Sequence, residues 1–138
     1  MMFIDASAIV AVMTREPGWE EIVERLDASE TSFSVSSLAR FEAVLALARK
    51  QPSSPDKRQA IASARDAVAN FLSEIRASEL TVTPRIGELA LDAATTYGKT
   101  AGRPAALNFG DCFAYACAKA LGVPLAYNGD DFAQTDLA

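Results

Sequence analysis

Four acidic residues far apart in this chain, Asp5, Glu42, Asp111 and Asp131, each stand where a carboxylate should meet other protein groups instead of open water. Asp5 ends the apolar run Met2-Phe3-Ile4, and a second run with helical spacing (Ala8, Ile9, Val12, Met13) follows it, as when a buried strand hands over to a helix. Strand carboxyl ends form the rim of open α/β sheets, where ligands bind. Glu42 lies between Leu38 and Leu45 on an apolar stripe that also holds Phe41 and Ala48. A carboxylate held against a core needs a cation, a metal or a raised pKa. Asp111 falls in the first turn of a helix that is apolar almost all round, and helix N-termini favour negative charge. Asp131, with Asp130 beside it as a competitor, comes just past a short strand at residues 124–127. Carboxylates that cluster repel one another unless divalent cations neutralise them. Two such ions roughly 4 Å apart can activate a water and stabilise a departing oxygen, which suits phosphodiester hydrolysis.

Each acid also has a plainer reading. Asp5 can cap the first helix together with Ser7, and Glu42 can pair with Arg40. Asp111 can answer Asn108 in a capping box, and Asn128-Gly129 can be a simple turn with solvated aspartates after it.

Composition narrows the chemistry. The chain has no histidine, which removes imidazole acid–base catalysis, Ser-His-Asp and Cys-His nucleophiles, and His-Glu-x-x-His zinc sites. Carboxylates without nitrogen or sulfur ligands select hard cations, magnesium first and manganese as a possibility. Cys112 and Cys117 are five apart in a helical pattern and fit neither a Cys-x-x-Cys pair nor a zinc knuckle, so both are expected as core thiols. The formal charge is −5, from 13 basic and 18 acidic residues. If four acids hold metal, the rest of the chain is close to neutral, and local distribution decides what it can bind.

The 138 residues, half of them hydrophobic, fit one domain spanning 1–138. No apolar run approaches the roughly 20 residues of a membrane span, and the opening lacks the basic start of a secretory signal, so a cytoplasmic protein is expected.

The elements that must position the acids follow from periodicity. Trp19, Ile22, Val23 and Leu26 mark a second helix, and residues 31–36 a short strand. The helix bearing Glu42 comes next, then a loop over residues 51–55 and a long helix on Ile61, Ala64, Val68, Leu72 and Ile75. Residues 80–82 read as a third strand. Thr83 caps a further helix with Pro84 at its first position. Gly102 and Pro104 punctuate the loop before the Asp111 helix, and Gly122 ends that helix. The order β-α-α-β-α-α-β-α-α-β implies an α/β fold with a mainly parallel sheet of four or five strands, covered by helices on both faces. Arg49, Lys50, Lys57, Arg58 and Arg65 concentrate positive charge along residues 49–65, either to face phosphates or as a solvated helix face.

At these acids the sequence resembles the PIN-domain family, and within it the VapC toxins of bacterial toxin–antitoxin pairs. The resemblance rests on Phe3-Ile4-Asp5-Ala6-Ser7-Ala8, on Glu42 in Arg40-Phe41-Glu42-Ala43, on Pro104-Ala105-Ala106-Leu107-Asn108-Phe109-Gly110-Asp111-Cys112, and on Gly129-Asp130-Asp131-Phe132 with Thr135-Asp136 after it. It implies a three-layer α/β/α sandwich and a magnesium-dependent endoribonuclease acting on structured transfer or ribosomal RNA. It also implies a homodimer silenced by a VapB-like antitoxin. By the same resemblance Asp5 and Asp111 are the main metal ligands, Glu42 supports them, and Asp131 completes a second metal position. Ser7 would orient Asp5 or a metal-bound water, and Asn108 would hold the loop before Asp111. Relatives often have a histidine where this chain has Arg103, so Arg103, Lys99 and the residues of 49–65 become candidates for phosphate contact.

Two other classes fit less well. A receiver-like or dehalogenase-like phosphotransfer domain would need an Asp-x-Asp pair, absent from Asp5-Ala6-Ser7, and an aspartate ending the third strand. A binding module would use the acids structurally.

Overall fold

Strand β1 (Met2–Ile4) buries Phe3 and Ile4 and turns at Asp5 into α1 (Ala6–Thr14). The computed structural model describes residues 1–28, 32–51 and 56–138. The remaining elements are α2 (Trp19–Ala28), β2 (Phe33–Ser36), α3 (Ser37–Arg49), α4 (Lys57–Glu74), β3 (Ser78–Leu80), α5 (Pro84–Tyr97), α6 (Phe109–Leu121) and β4 (Leu125–Ala126). This is the expected order of elements. Thr31, the expected start of the second strand, and residues 52–55 of the expected loop lie outside the described residues.

The sheet is parallel throughout, in the order β3-β2-β1-β4, with helices flanking it. From β1 the chain steps outward to β2 and β3, then crosses back to lay β4 on the other side of β1. The loops leaving β1 and β4 therefore diverge, and a crevice opens at their carboxyl ends. Asp5 stands at that switch point. The core runs through Phe3, Ile9, Val35, Val68, Cys117, Leu125 and Phe132, all almost fully buried. Cys112 and Cys117 are free, buried thiols. Among the described residues no helix is long and apolar enough to cross a membrane.

Three local expectations need correction. The third strand is Ser78–Leu80, not residues 80–82, because it pairs with β2 through Ser34, Val35 and Ser36 and has no partner once β2 turns into α3. Backbone register, not the apolar Leu80 and Val82, sets its limits. The fourth strand shrinks to Leu125–Ala126 because β1 offers only Phe3 and Ile4 opposite it before α1 begins. On α3 the buried face is Ala39, Ala43, Val44, Leu47 and Ala48, while Phe41 is 62% exposed. Small side chains let α3 approach its neighbours closely, so the larger apolar residues are a poor guide to its inner face.

Candidate active site

Asp5 is the N-cap of α1 and is 5% exposed. Its Oδ2 accepts from the Ser7 backbone N–H at 3.0 Å and from the Ser7 hydroxyl at 2.6 Å. Ser7 Oγ in turn accepts from the Asn128 backbone N–H at 3.0 Å. Ser7 thus ties the acid at the end of β1 to the chain leaving β4. The capping reading of Asp5 and its placement at the sheet rim are both correct.

Asp111 stands at the third position of α6 in a full capping box. Its own N–H donates to Asn108 Oδ1 at 2.9 Å, and the Asn108 N–H donates to Asp111 Oδ2 at 3.1 Å. Here too the box and the burial coexist, because a capping-box acid reaches back over the helix start and, on a buried helix, into the protein. Glu42 sits on the second turn of α3, half-buried, with its carboxylate against Gly110 of α6. A Cβ at Gly110 would fall 2.1 Å from Glu42 Oε2. Glycine in the first turn of a helix is otherwise unfavourable, so here it gives room to the acid of another helix.

The charges report the convergence. Burial pushes the Glu42 carboxyl up to about 7, and the charges of Asp5 and Asp111 add to it. Burial raises Asp111 to about 6, opposed by the Asn108 hydrogen bond and reinforced by Asp131 and Asp5. Asp5 is also raised, by burial first, with the Ser7 bonds opposing and Asp131 adding. Asp131 itself is exposed, on the segment after β4, yet close enough to act on both Asp5 and Asp111. Asp130 is likewise exposed. Asp5, Glu42 and Asp111 are thus electrostatic neighbours, and Asp131 acts on Asp5 and Asp111.

None of the ion pairs among the described residues involves these acids. Arg40 pairs with Glu79, Lys50 with Glu16, and Lys119 with Asp136. The expected alternative of a Glu42–Arg40 bridge is thereby removed. A cluster of raised carboxyls with no paired cationic side chain among the described residues suits a hard divalent cation, and the all-oxygen donor set fits magnesium or manganese. Among the described residues no group of three or more Cys, Asp or Glu closes on a common ion position, so the acids are neighbours and not a preformed cage.

The basic candidates separate. Arg49 and Lys50 line a cavity of about 300 Å³ together with Ser7 and Glu42, at the edge of the acid cluster. Lys57 lies one cavity further along with Ile61 and Arg49. Arg58 and Arg65 are exposed on α4. Lys99 lines a separate apolar groove of about 760 Å³ between α5 and the start of α6, which reaches the site only through Asn108. The Arg103 Nε donates to the Thr95 carbonyl at 3.0 Å, a bond that fastens its own loop.

Sequence reasoning passed over Gly110 and Glu16, and gave Asp136 no role. Gly110 carried a signal, a glycine beside an acid inside a helical pattern. The other two are recognisable only through partners distant in sequence.

A PIN domain family model matches residues 2–137. The chain is 49% identical over 141 residues to a VapC ribonuclease of Rhizobium meliloti, covering 99% of both. It is 31% identical to ribonuclease VapC42 of Mycobacterium tuberculosis, covering 99% of this chain and 96% of that one. The crystal structure of Mycobacterium tuberculosis VapC20, a sarcin-ricin loop cleaving toxin, superposes with a TM-score of 0.68 at 20% identity, covering 100% of this chain and 98% of that one. That likeness bears on the fold. With the fold, the carboxylate cluster and full-length relatives in agreement, the chain belongs to the PIN-domain family and to its VapC ribonuclease branch.

Proposed function

We propose that this VapC ribonuclease is a toxin whose Asp5, Glu42, Asp111 and Asp131 hold magnesium, with manganese as a substitute, to hydrolyse phosphodiester bonds of a structured RNA. The observation that supports the reading is the mutual influence of carboxylates from the end of β1, from α3 and from the start of α6, with Asp131 after β4 acting on two of them and, among the described residues, no lysine or arginine paired to any of the four. Held there, a divalent cation supplies Lewis-acid activation of water and neutralises charge developing on the phosphate. The chain's own groups prepare that position. Ser7 fixes the Asp5 carboxylate against rotation, the Asn108 box fixes Asp111, and Gly110 admits Glu42. Arg49 and Lys50, at the lip of the same cavity, give the RNA backbone its nearest positive charges, with Lys57 and Arg58 continuing along α4. Transfer or ribosomal RNA is the substrate class, and the cytoplasm is where the protein meets it.

A VapB-like antitoxin is the partner that silences the toxin. A homodimer is supported by exposed Leu91 and Phe109, which line the apolar groove between α5 and α6 and are 63% and 70% exposed. Burying such a surface against a second copy is favourable at roughly 25 cal/mol per Å² of apolar area.

Expression in a bacterial host tests the function. The protein alone should arrest growth, Asp5→Asn should not, and co-expression of the cognate antitoxin should restore growth to the wild-type toxin. Equal growth inhibition by wild type and Asp5→Asn would leave a binding module as the better reading.

A further inference from the structure

After β4 the chain forms neither helix nor strand, yet residues 127–138 must hold Asp131 within reach of Asp5 and Asp111. What fixes this segment is a set of side-chain attachments. Phe132, 1% exposed, anchors its middle. Thr135 is buried and folds the segment on itself, its hydroxyl donating to the Phe132 carbonyl at 2.8 Å and accepting from the Leu137 N–H at 3.2 Å.

The outer attachment is Asp136. Its Oδ1 accepts from the Tyr115 hydroxyl at 2.6 Å and from the Tyr97 hydroxyl at 3.5 Å, while Lys119 Nζ donates to its Oδ2. Tyr115 and Lys119 follow Asp111 at four and eight positions, so all three lie along one face of α6. Asp111, on which the Asp131 charge acts, stands at the start of that face, and Asp136 is fastened further along it. The Tyr97 and Tyr115 rings pack edge to face at 5.5 Å, and Lys119 lies 5.7 Å from the Tyr115 ring centre, so the donors are themselves held in place. The hydrogen bonds of Lys119 and Tyr115 hold the Asp136 carboxyl below its usual range, which keeps it charged and accepting. The Lys119 pair is half-exposed and contributes little to stability alone. Its value is geometric, since three donors from two helices set the path of the segment.

We propose that Asp136 is a positioning residue for the candidate metal site, clasping α6 through Tyr115 and Lys119 so that Asp131 is held opposite Asp111. The proposal rests on the reading of the four acids as divalent-cation ligands. Calorimetric titration of Mn2+ into the full-length protein at pH 7.5, alongside melting temperatures, tests it. Asp136→Asn should weaken Mn2+ binding about tenfold, the lower end of losses seen when a partner that orients a ligand is removed. Tyr115→Phe, which keeps the ring in the core, should weaken it in the same direction. In an Asp131→Asn background, Asp136→Asn should weaken Mn2+ binding no further, although it should lower the melting temperature as much as it does in wild type. Equal loss of affinity in both backgrounds, or unchanged affinity in Asp136→Asn, overturns the clasp while leaving the metal reading in place. Failure of the wild-type protein to bind Mn2+ overturns both.

Discussion

Replacing Asp111 with asparagine should lower RNA cleavage by more than about 100-fold and, at pH 8, raise the melting temperature of the metal-free protein. The first effect exceeds the ~10–100-fold losses typical of outer partners of a metal ligand, because the substitution removes an oxygen that would carry charge to the ion itself. The second follows from linkage. A carboxyl whose folded pKa lies above its unfolded value favours the folded state while protonated. That contribution is whole below the ordinary carboxylate range and is lost as pH rises through about 6 for Asp111 and about 7 for Glu42. At pH 8 both are charged, so removing the Asp111 charge relieves first the cost of burying it and then its repulsion by Asp131 and Asp5, and asparagine can still accept from the Asn108 N–H. The gain should shrink toward zero near pH 4. Thermal melts of wild type and Asp111→Asn across pH 4 to 8 with chelator present measure it. A stability difference that stays flat with pH would show that the Asp111 carboxyl is not raised in the folded protein.

Phe132→Ala should destabilise the protein by about 3–5 kcal/mol, the range for emptying a buried aromatic site. Phe132 is 1% exposed and packs edge to face on Tyr127, with ring centres 5.1 Å apart. It adjoins Asp131, and the segment around it has no backbone ladder to hold it once the ring is gone. Cleavage at temperatures where the variant is still folded should therefore fall as well. Phe132→Leu, which refills most of the space, should recover most of both. Denaturant unfolding with the two variants decides this. A loss below about 1 kcal/mol for Phe132→Ala would mean the segment is held by something other than its core anchor.

How far the sequence foretold these features depended on whether a residue's role is local. Asp5 and Asp111 were readable because a strand end and a helix start are written in adjacent residues, and the order of elements followed from the same patterns. Glu42 was singled out for standing on an apolar stripe, yet the stripe was misplaced. The inner face of α3 is made of Ala39, Ala43 and Val44, and Phe41 faces outward. Glu42 is nonetheless half-buried, because its carboxylate meets Gly110 of α6 and not the aliphatic core. The choice between Asp130 and Asp131 could not be made from neighbours in sequence, since one step along a turn redirects a side chain completely. In the structure the Asp131 charge acts on Asp5 and Asp111. Asp136 lay in a stretch noted for its family likeness, but its partners Tyr97, Tyr115 and Lys119 come from two helices earlier in the chain. The short limits of β3 and β4 were also set from outside, by how long their neighbouring strands run before turning into helices.

The most direct test is cleavage of total RNA by the purified protein, first with chelator and then with Mg2+ or Mn2+ restored. Wild type should be inactive in chelator and recover with either ion, and Asp5→Asn should stay inactive throughout. Cleavage that persists in chelator, or that Asp5→Asn performs at the wild-type rate, would contradict a site built from four carboxylates around a divalent cation.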